Sequence, residues 1–161
     1  KQLPSHLRDK VTVRFYPHDY KWSQSQRWKD RFPKSKIDKC EEKFNNAISK
    51  IDLFVSGWNT TTYLETMLSN IPTIIFWEPS YFEIRDDAKY LFKKLKKVKI
   101  FHDNPYSASD HVKNISGNVN VWWNSDDVVS VKNEFISKYA YSHNLIDKMS
   151  TLFKDISKRK C

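Results

Sequence analysis

The stretch Asp52-Leu53-Phe54-Val55-Ser56-Gly57-Trp58-Asn59-Thr60-Thr61-Thr62-Tyr63-Leu64-Glu65, followed by Asn70-Ile71-Pro72-Thr73-Ile74-Ile75-Phe76, decides the fold. Residues 53–56 read as a short buried strand that runs into the turn Gly57-Trp58-Asn59. Thr60 or Thr61 then caps a helix reaching Ser69, with Leu64, Met67 and Leu68 inward. Asn70-Ile71-Pro72 breaks that helix, and residues 73–77 form the next strand, closed by Pro79. Strand, helix and strand in this order form a crossover unit with a parallel sheet.

The same run carries candidate chemistry. Gly57 permits an unusual backbone angle and close approach of a ligand. First-turn amides of a helix lack internal partners and suit a phosphate, and the hydroxyls of Thr60 and Thr61, beside Asn59, add hydrogen bonds to the same oxygens. Glu65, one turn on, can accept hydrogen bonds from a ribose diol. In open parallel sheets, ligands bind at the carboxyl ends of strands, where this turn falls. The residues also read as a plain helix cap with Glu65 on a solvated face. The chain has only two glycines, Gly57 and Gly117, too few for a Walker loop or a dinucleotide fingerprint.

Working outward, residues 11–16 and 98–101 read as further strands, and 40–50, 83–97, 126–139 and 144–158 as helices. Ser107 is placed as the cap of a short helix with Asp110 as its capping-box partner. Residues 18–36 are polar, aromatic and basic and read as a long functional loop. The expected fold is a single α/β domain over residues 1–161, a Rossmann-like parallel sheet with helices on both faces.

The 161 residues are 39% hydrophobic and 15% aromatic, which excludes a disordered chain. No apolar run approaches the roughly 20 residues that span a bilayer, and no signal peptide is recognisable. The chain does not begin with Met, so Lys1 is expected to mark a processing or expression boundary. Cys40 and Cys161 give neither a disulfide framework nor a zinc spacing, which points to a reducing compartment. Two sequons, at Asn59 and Asn114, are read as chance in that setting. The net charge of +9 favours an anionic partner: phosphate, nucleotide, nucleic acid or an acidic membrane.

The glycine turn, hydroxyl pair, Glu65 and Pro-led strand resemble the donor-binding motif in the C-terminal domain of GT-B glycosyltransferases. More narrowly, Arg14-Phe15-Tyr16-Pro17-His18-Asp19, Gln26-Arg27-Trp28, Asn59-Thr60-Thr61 with Leu64-Glu65, residues 70–77 and Glu83-Ile84-Arg85 resemble the LIC12162-like family of bacterial surface-carbohydrate transferases. Phe101-His102-Asp103 and Trp122-Trp123-Asn124 also suit it, and the likeness covers residues 11–141. The family pattern usually sets Ser beside Thr in the turn, where this chain has Thr60-Thr61. The resemblance implies a cytoplasmic enzyme half that binds a nucleotide-activated sugar without a metal or other cofactor. It also implies that acceptor contacts come from an N-terminal domain absent from this chain. No Asp-x-Asp pair occurs.

Arg14 and His18, at the end of the first strand, are candidates to neutralise a donor phosphate; the alternative pairs Arg14 with a carboxylate such as Asp19. Glu83 and Arg85, after the third strand, are candidates for sugar contact or for closure against the other domain. Trp22, Trp28, Trp58 and Trp77 can stack on a base or sugar, or pack; Trp122 and Trp123 are assigned to packing. His102-Asp103, after the fourth strand, can support the site or be structural, and lies outside the main set. Lys89, Lys93, Lys94, Lys96, Lys97 and Lys99 form either a solvated helix face or a peripheral contact with the anionic inner face of the plasma membrane. Two rival functions remain, a basic nucleic-acid-binding module and half of a nucleotide-sugar epimerase. The first lacks an RNP, zinc-finger or GXXG signature, so no specific nucleic acid is expected.

Overall fold

The computed structural model describes residues 2–140. A short helix, α1 (Ser5–Arg8), precedes strand β1 (Thr12–Arg14), helix α2 (Gln24–Arg31), strand β2 (Lys36–Asp38) and helix α3 (Phe44–Ile48). Then come β3 (Phe54–Ser56), α4 (Thr62–Leu68), β4 (Thr73–Phe76), α5 (Asp86–Lys97), β5 (Phe101–His102), α6 (Pro105–Ile115), α7 (Val119–Trp123) and α8 (Asp126–Tyr139). Every strand pair is parallel, as the alternation of strands and helices requires. There are two sheets among the described residues: β1 pairs with β2, and the larger sheet has the order β3-β4-β5. The expected single sheet containing residues 11–16 is therefore corrected. The expected helix at 144–158 lies outside the described residues.

The central strand β4 carries the core on both faces. Ile74 and Ile75 are both completely buried. Ile75 packs with Tyr63, Met67, Leu91, Phe92, Leu95, Trp123 and Phe135 beneath α4, α5 and α8. Ile74 packs on the opposite face with Ala108 and Ile115 of α6. Helices therefore cover both faces, and each fully buried Ile, Leu or Phe contributes about 1.5–3 kcal/mol by leaving water. On α5, Ala88, Leu91, Phe92 and Leu95 face inward, as their spacing predicts. β3 is an edge strand, so Val55 is exposed rather than buried. Leu68 is also exposed, its expected inward place being taken by Tyr63 and Thr66.

Both crossover helices end in the same way. Asn70 and Lys99 adopt left-handed backbone angles, φ 56° and 64°. Behind them, the Ile71 amide donates to Thr66 O and the Ile100 amide to Leu95 O, both at 2.9 Å, while Asn70 and Lys99 donate to Met67 O and Lys96 O. These are Schellman closures, which usually place glycine at the left-handed position. Lys99 in that role explains why β5 starts at Phe101 and not at Val98. Asn70 does more. Its backbone and side-chain oxygens each accept from Trp123 Nε1 at 3.1 Å, and its Oδ1 accepts from Lys132 Nζ at 2.6 Å. Lys132 is buried, its ammonium lies over the Trp123 ring, and burial lowers its pKa.

Three other expectations are corrected. Residues 18–36 contain α2, whose only part-buried residue is Trp28, packed on Phe15 and Phe32. The helix expected from 40 shrinks to α3 because Cys40 is left-handed, with φ 58°, and its amide is held by Asp38 Oδ1 at 2.8 Å. α6 is capped by Asn104, not Ser107: Asn104 Oδ1 accepts the Ser107 amide at 2.9 Å, with Pro105 as the first helical residue. No described helix is long and apolar enough to cross a membrane.

Candidate functional site

Residues 57–61 link the carboxyl end of β3 to the start of α4, at the edge where parallel sheets present ligands. The Trp58 carbonyl organises the turn by accepting from Ser56 Oγ and from the Thr60 amide, each at 3.0 Å. Gly57 has no positive φ, so the expected unusual backbone angle is corrected. Its requirement is space: a Cβ there would lie 3.0 Å from Phe76 Cζ. Removing the side chain lets the turn sit directly on the β4 ring.

Neither Thr60 nor Thr61 caps α4 through its side chain. Thr61 occupies the cap position without a side-chain cap bond, and the Thr60 and Thr62 hydroxyls lie 2.8 Å apart. The amides of Thr61, Thr62 and Tyr63 therefore meet no protein acceptor among the described residues. Asn59 Oδ1 accepts from the Tyr63 phenol at 3.3 Å, and burial, then the nearby Tyr139, raises the pKa of that phenol. Glu65 is exposed on the first turn of α4.

Phe82 joins a second group of candidates to this turn. Its ring meets Trp58 edge-on at 5.0 Å and Trp77 at 6.3 Å. The loop carrying Phe82 continues into Glu83 and Arg85, which with Asp86 and Asp87 line an open hollow of about 540 Å³. Arg85 Nε lies 3.2 Å from Asp87 Oδ1, and both side chains remain largely exposed.

Arg14 and His18 stand apart from that group. Arg14 Nη1 donates to Asp38 Oδ2 at 2.6 Å and Nη2 to Glu42 O at 2.8 Å, within the β1–β2 unit. Its carboxylate is thus Asp38 rather than Asp19, whose Oδ1 instead accepts the amides of Trp22 and Ser23. His18 is exposed, edge-on to Tyr20 at 4.8 Å. Among the described residues no hydrogen bond, ion pair or ring contact joins Arg14 or His18 to residues 57–65.

His102, singled out in the sequence as a candidate support for the site, sits in a polar cluster at the end of β5 whose other members no local pattern announced. His102 Nε2 donates to Lys99 O at 2.9 Å, which leaves Nδ1 to accept from Ser107 Oγ at 2.8 Å. With Lys99, Asp110, His111 and Asn114 they line a hollow of about 330 Å³. His111 Nε2 is buried without a partner among the described residues, and burial, then His102, depresses its pKa to about 4. Around α5, Lys89, Lys94 and Lys96 pair with Asp86, Glu134 and Asp103, so half of the six lysines have carboxylate partners. Trp77 and Trp123 are core residues, and Trp122 packs between the two clusters.

A family model described as LIC12162 family transferase matches residues 1–152. No curated protein and no solved structure gives a significant match.

Proposed function

Because this chain belongs to the LIC12162 family of transferases, we propose that it forms the donor-binding domain of a glycosyltransferase acting in bacterial surface-glycan synthesis. Its ligand is the nucleoside mono- or diphosphate of an activated sugar. The observation that carries this reading is the group of unpaired amides at Thr61, Thr62 and Tyr63, flanked by the Thr60 hydroxyl and by a glycine without bulk. Donors fixed in this way stabilise the negative charge that grows on the leaving phosphate, with no reorganisation at the moment of transfer. Exposed Glu65 suits the ribose diol. Glu83 and Arg85, joined to the turn through Phe82 and Trp58, suit the sugar or a facing acceptor domain. Arg14 and His18 enter this reading as charge partners of the donor only if the β1–β2 unit closes over the turn.

Calorimetric titration of the chain with uridine, guanosine and cytidine nucleotides, and with a random oligonucleotide, tests the proposal. Saturable binding of one nucleotide class, in preference to the oligonucleotide, is expected. Binding without sugar transfer is expected of the isolated chain, since acceptor contacts are assigned to a second domain. Oligonucleotide binding alone would replace the reading with a nucleic-acid module.

A further inference from the structure

After β1 the chain turns its aromatic side chains outward. Phe15 packs inward on Trp28, but Tyr16, Tyr20 and Trp22 are 67%, 55% and 61% exposed. They are not scattered. Tyr16 and Tyr20 stack with centroids 5.8 Å apart and planes at 17°, and Tyr20 meets Trp22 at 5.8 Å. His18 stands edge-on to the middle ring at 4.8 Å. The backbone is held for this display: Asp19 Oδ1 accepts the amides of Trp22 and Ser23 at 2.9 and 3.1 Å, and Lys21 and Ser23 are left-handed, with φ 66° and 49°. Left-handed non-glycine residues cost about 1–2 kcal/mol each. Contiguous exposed rings in a fixed loop mark an interaction surface.

Charge and chemistry choose the partner. The chain carries +9 overall, yet the ring-bearing loop itself, residues 16–23, holds one Lys and one Asp and sums to zero, the basic side chains Arg27, Lys29 and Arg31 beginning only on α2. A surface for nucleic acid or anionic lipid would concentrate Lys and Arg beside the rings. One that entered lipid tails would carry aliphatic side chains, and the segment has none. Rigid ring faces edged by phenol hydroxyls and an imidazole suit a neutral ligand with C–H faces and many hydroxyls. The geometry points to a saccharide platform formed by Tyr16, Tyr20 and Trp22, with His18 at its rim, that binds a neutral glycan chain. As an added contact for the acceptor glycan, beside those assigned to the second domain, it rests on the proposed function; as a binding site it stands separately.

Titrating the isotope-labelled full chain with maltohexaose and cellohexaose, followed by aromatic and amide NMR, reads both sites in one experiment. One or both saccharides should move the Tyr16, Tyr20 and Trp22 signals saturably at millimolar concentration and leave residues 57–65 in place. Trp22→Ala and Tyr20→Ala should each weaken binding about three- to tenfold, taking one aromatic contact as the unit lost. Tyr106→Ala, which removes an equally exposed ring on α6, should leave it unchanged. Circular dichroism establishes that each variant is folded. A dodecathymidylate or phosphatidylglycerol vesicles moving the three rings would overturn the proposal, as would no response to either saccharide or an equal loss in the Tyr106 variant. A nucleotide titration that fails to move residues 57–65 would sink the donor reading and leave the platform result intact.

Discussion

Arg14 and Asp38 are register partners across the β1–β2 ladder, and their side chains meet at 2.6 Å above it. Both are about three-quarters buried, and the guanidinium also reaches Glu42 O and lies over the Phe44 ring. Phe44 in turn packs edge-on against Phe54 of β3 at 5.9 Å. One ion pair therefore locks a two-stranded sheet and sets the ring that leads to the larger one.

Asp38→Asn should destabilise this unit by about 1–2 kcal/mol, the scale of a charge-assisted hydrogen bond with partial solvent screening. The Asp38 carboxyl is held below its ordinary value, first by the Cys40 amide and then by Arg14. A depressed folded pKa contributes stability above the unfolded value of Asp, and that contribution is lost as pH falls through the folded one. Protection factors of the Val13 and Ile37 amides, corrected for the intrinsic exchange rate at each pH, should thus fall in acid in the parent and show a smaller acid response in Asp38→Asn.

Lys99→Gly should raise stability by about 1 kcal/mol. Lys99 is exposed and left-handed, and glycine relieves the Cβ clash while leaving the Lys99 and Ile100 amide bonds in place. Urea denaturation with an unchanged m-value measures the gain. A loss of stability would mean that the lysine side chain, rather than the backbone angle, is what the turn requires.

At the turn, Gly57→Val and Thr61→Val should fail differently. The first drives a branched side chain into the Phe76 ring, blocking ligand approach and lowering stability; the second deletes one hydroxyl. Glu65→Gln should weaken nucleotide binding about tenfold and lose that effect against a ligand lacking the ribose hydroxyls. Calorimetry on variants whose melting has been compared with the parent provides the measurement. Unchanged affinity in folded Gly57 and Glu65 variants would reduce the turn to a helix connection.

His111 supplies an acid limb. Its pKa is depressed to about 4 by burial, then by His102. Between the unfolded value of about 6.5 and this folded one, the unfolded chain binds the extra proton, so stability falls as pH falls. The full effect is about 3.4 kcal/mol before solvent screening of the half-buried ring, which reduces it. His111→Phe keeps a ring against Trp122 and should flatten the stability profile between pH 6.5 and 4. An acid limb identical to the parent's would assign the loss to other groups.

The β3–α4–β4 unit was legible because Ile74-Ile75 buries both faces and Pro72 marks the break, and α5 because four apolar residues share one stripe. β2 was not, since Ile37 stands alone between Lys36 and Asp38 and gives no period. α2 has only Trp28 to signal a face. The Schellman ends hid because Asn70 and Lys99 stand where glycine would have announced them. At the candidate site the importance of Gly57 was readable, but its physical reason was contact with Phe76, a ring 19 residues away. Pairings such as Trp58 with Phe82, or Ser107 with His102, join residues that no local pattern connects.

Asn70 gives the protein an order of assembly. The β3–α4–β4–α5–β5 segment makes its sheet between consecutive strands. The donors that complete Asn70 arrive much later: Trp123 lies 53 residues on and Lys132 lies 62. During synthesis the carbonyl and amide oxygens of Asn70 therefore stay in water after β4 has paired. α7 and α8 supply those partners, and Phe135 of α8 packs into the same core as the inward faces of α4 and α5. A chain halted before residue 123 would hold its strands and still lack Phe135, presenting the apolar face of Tyr63, Met67 and Phe92 to chaperones.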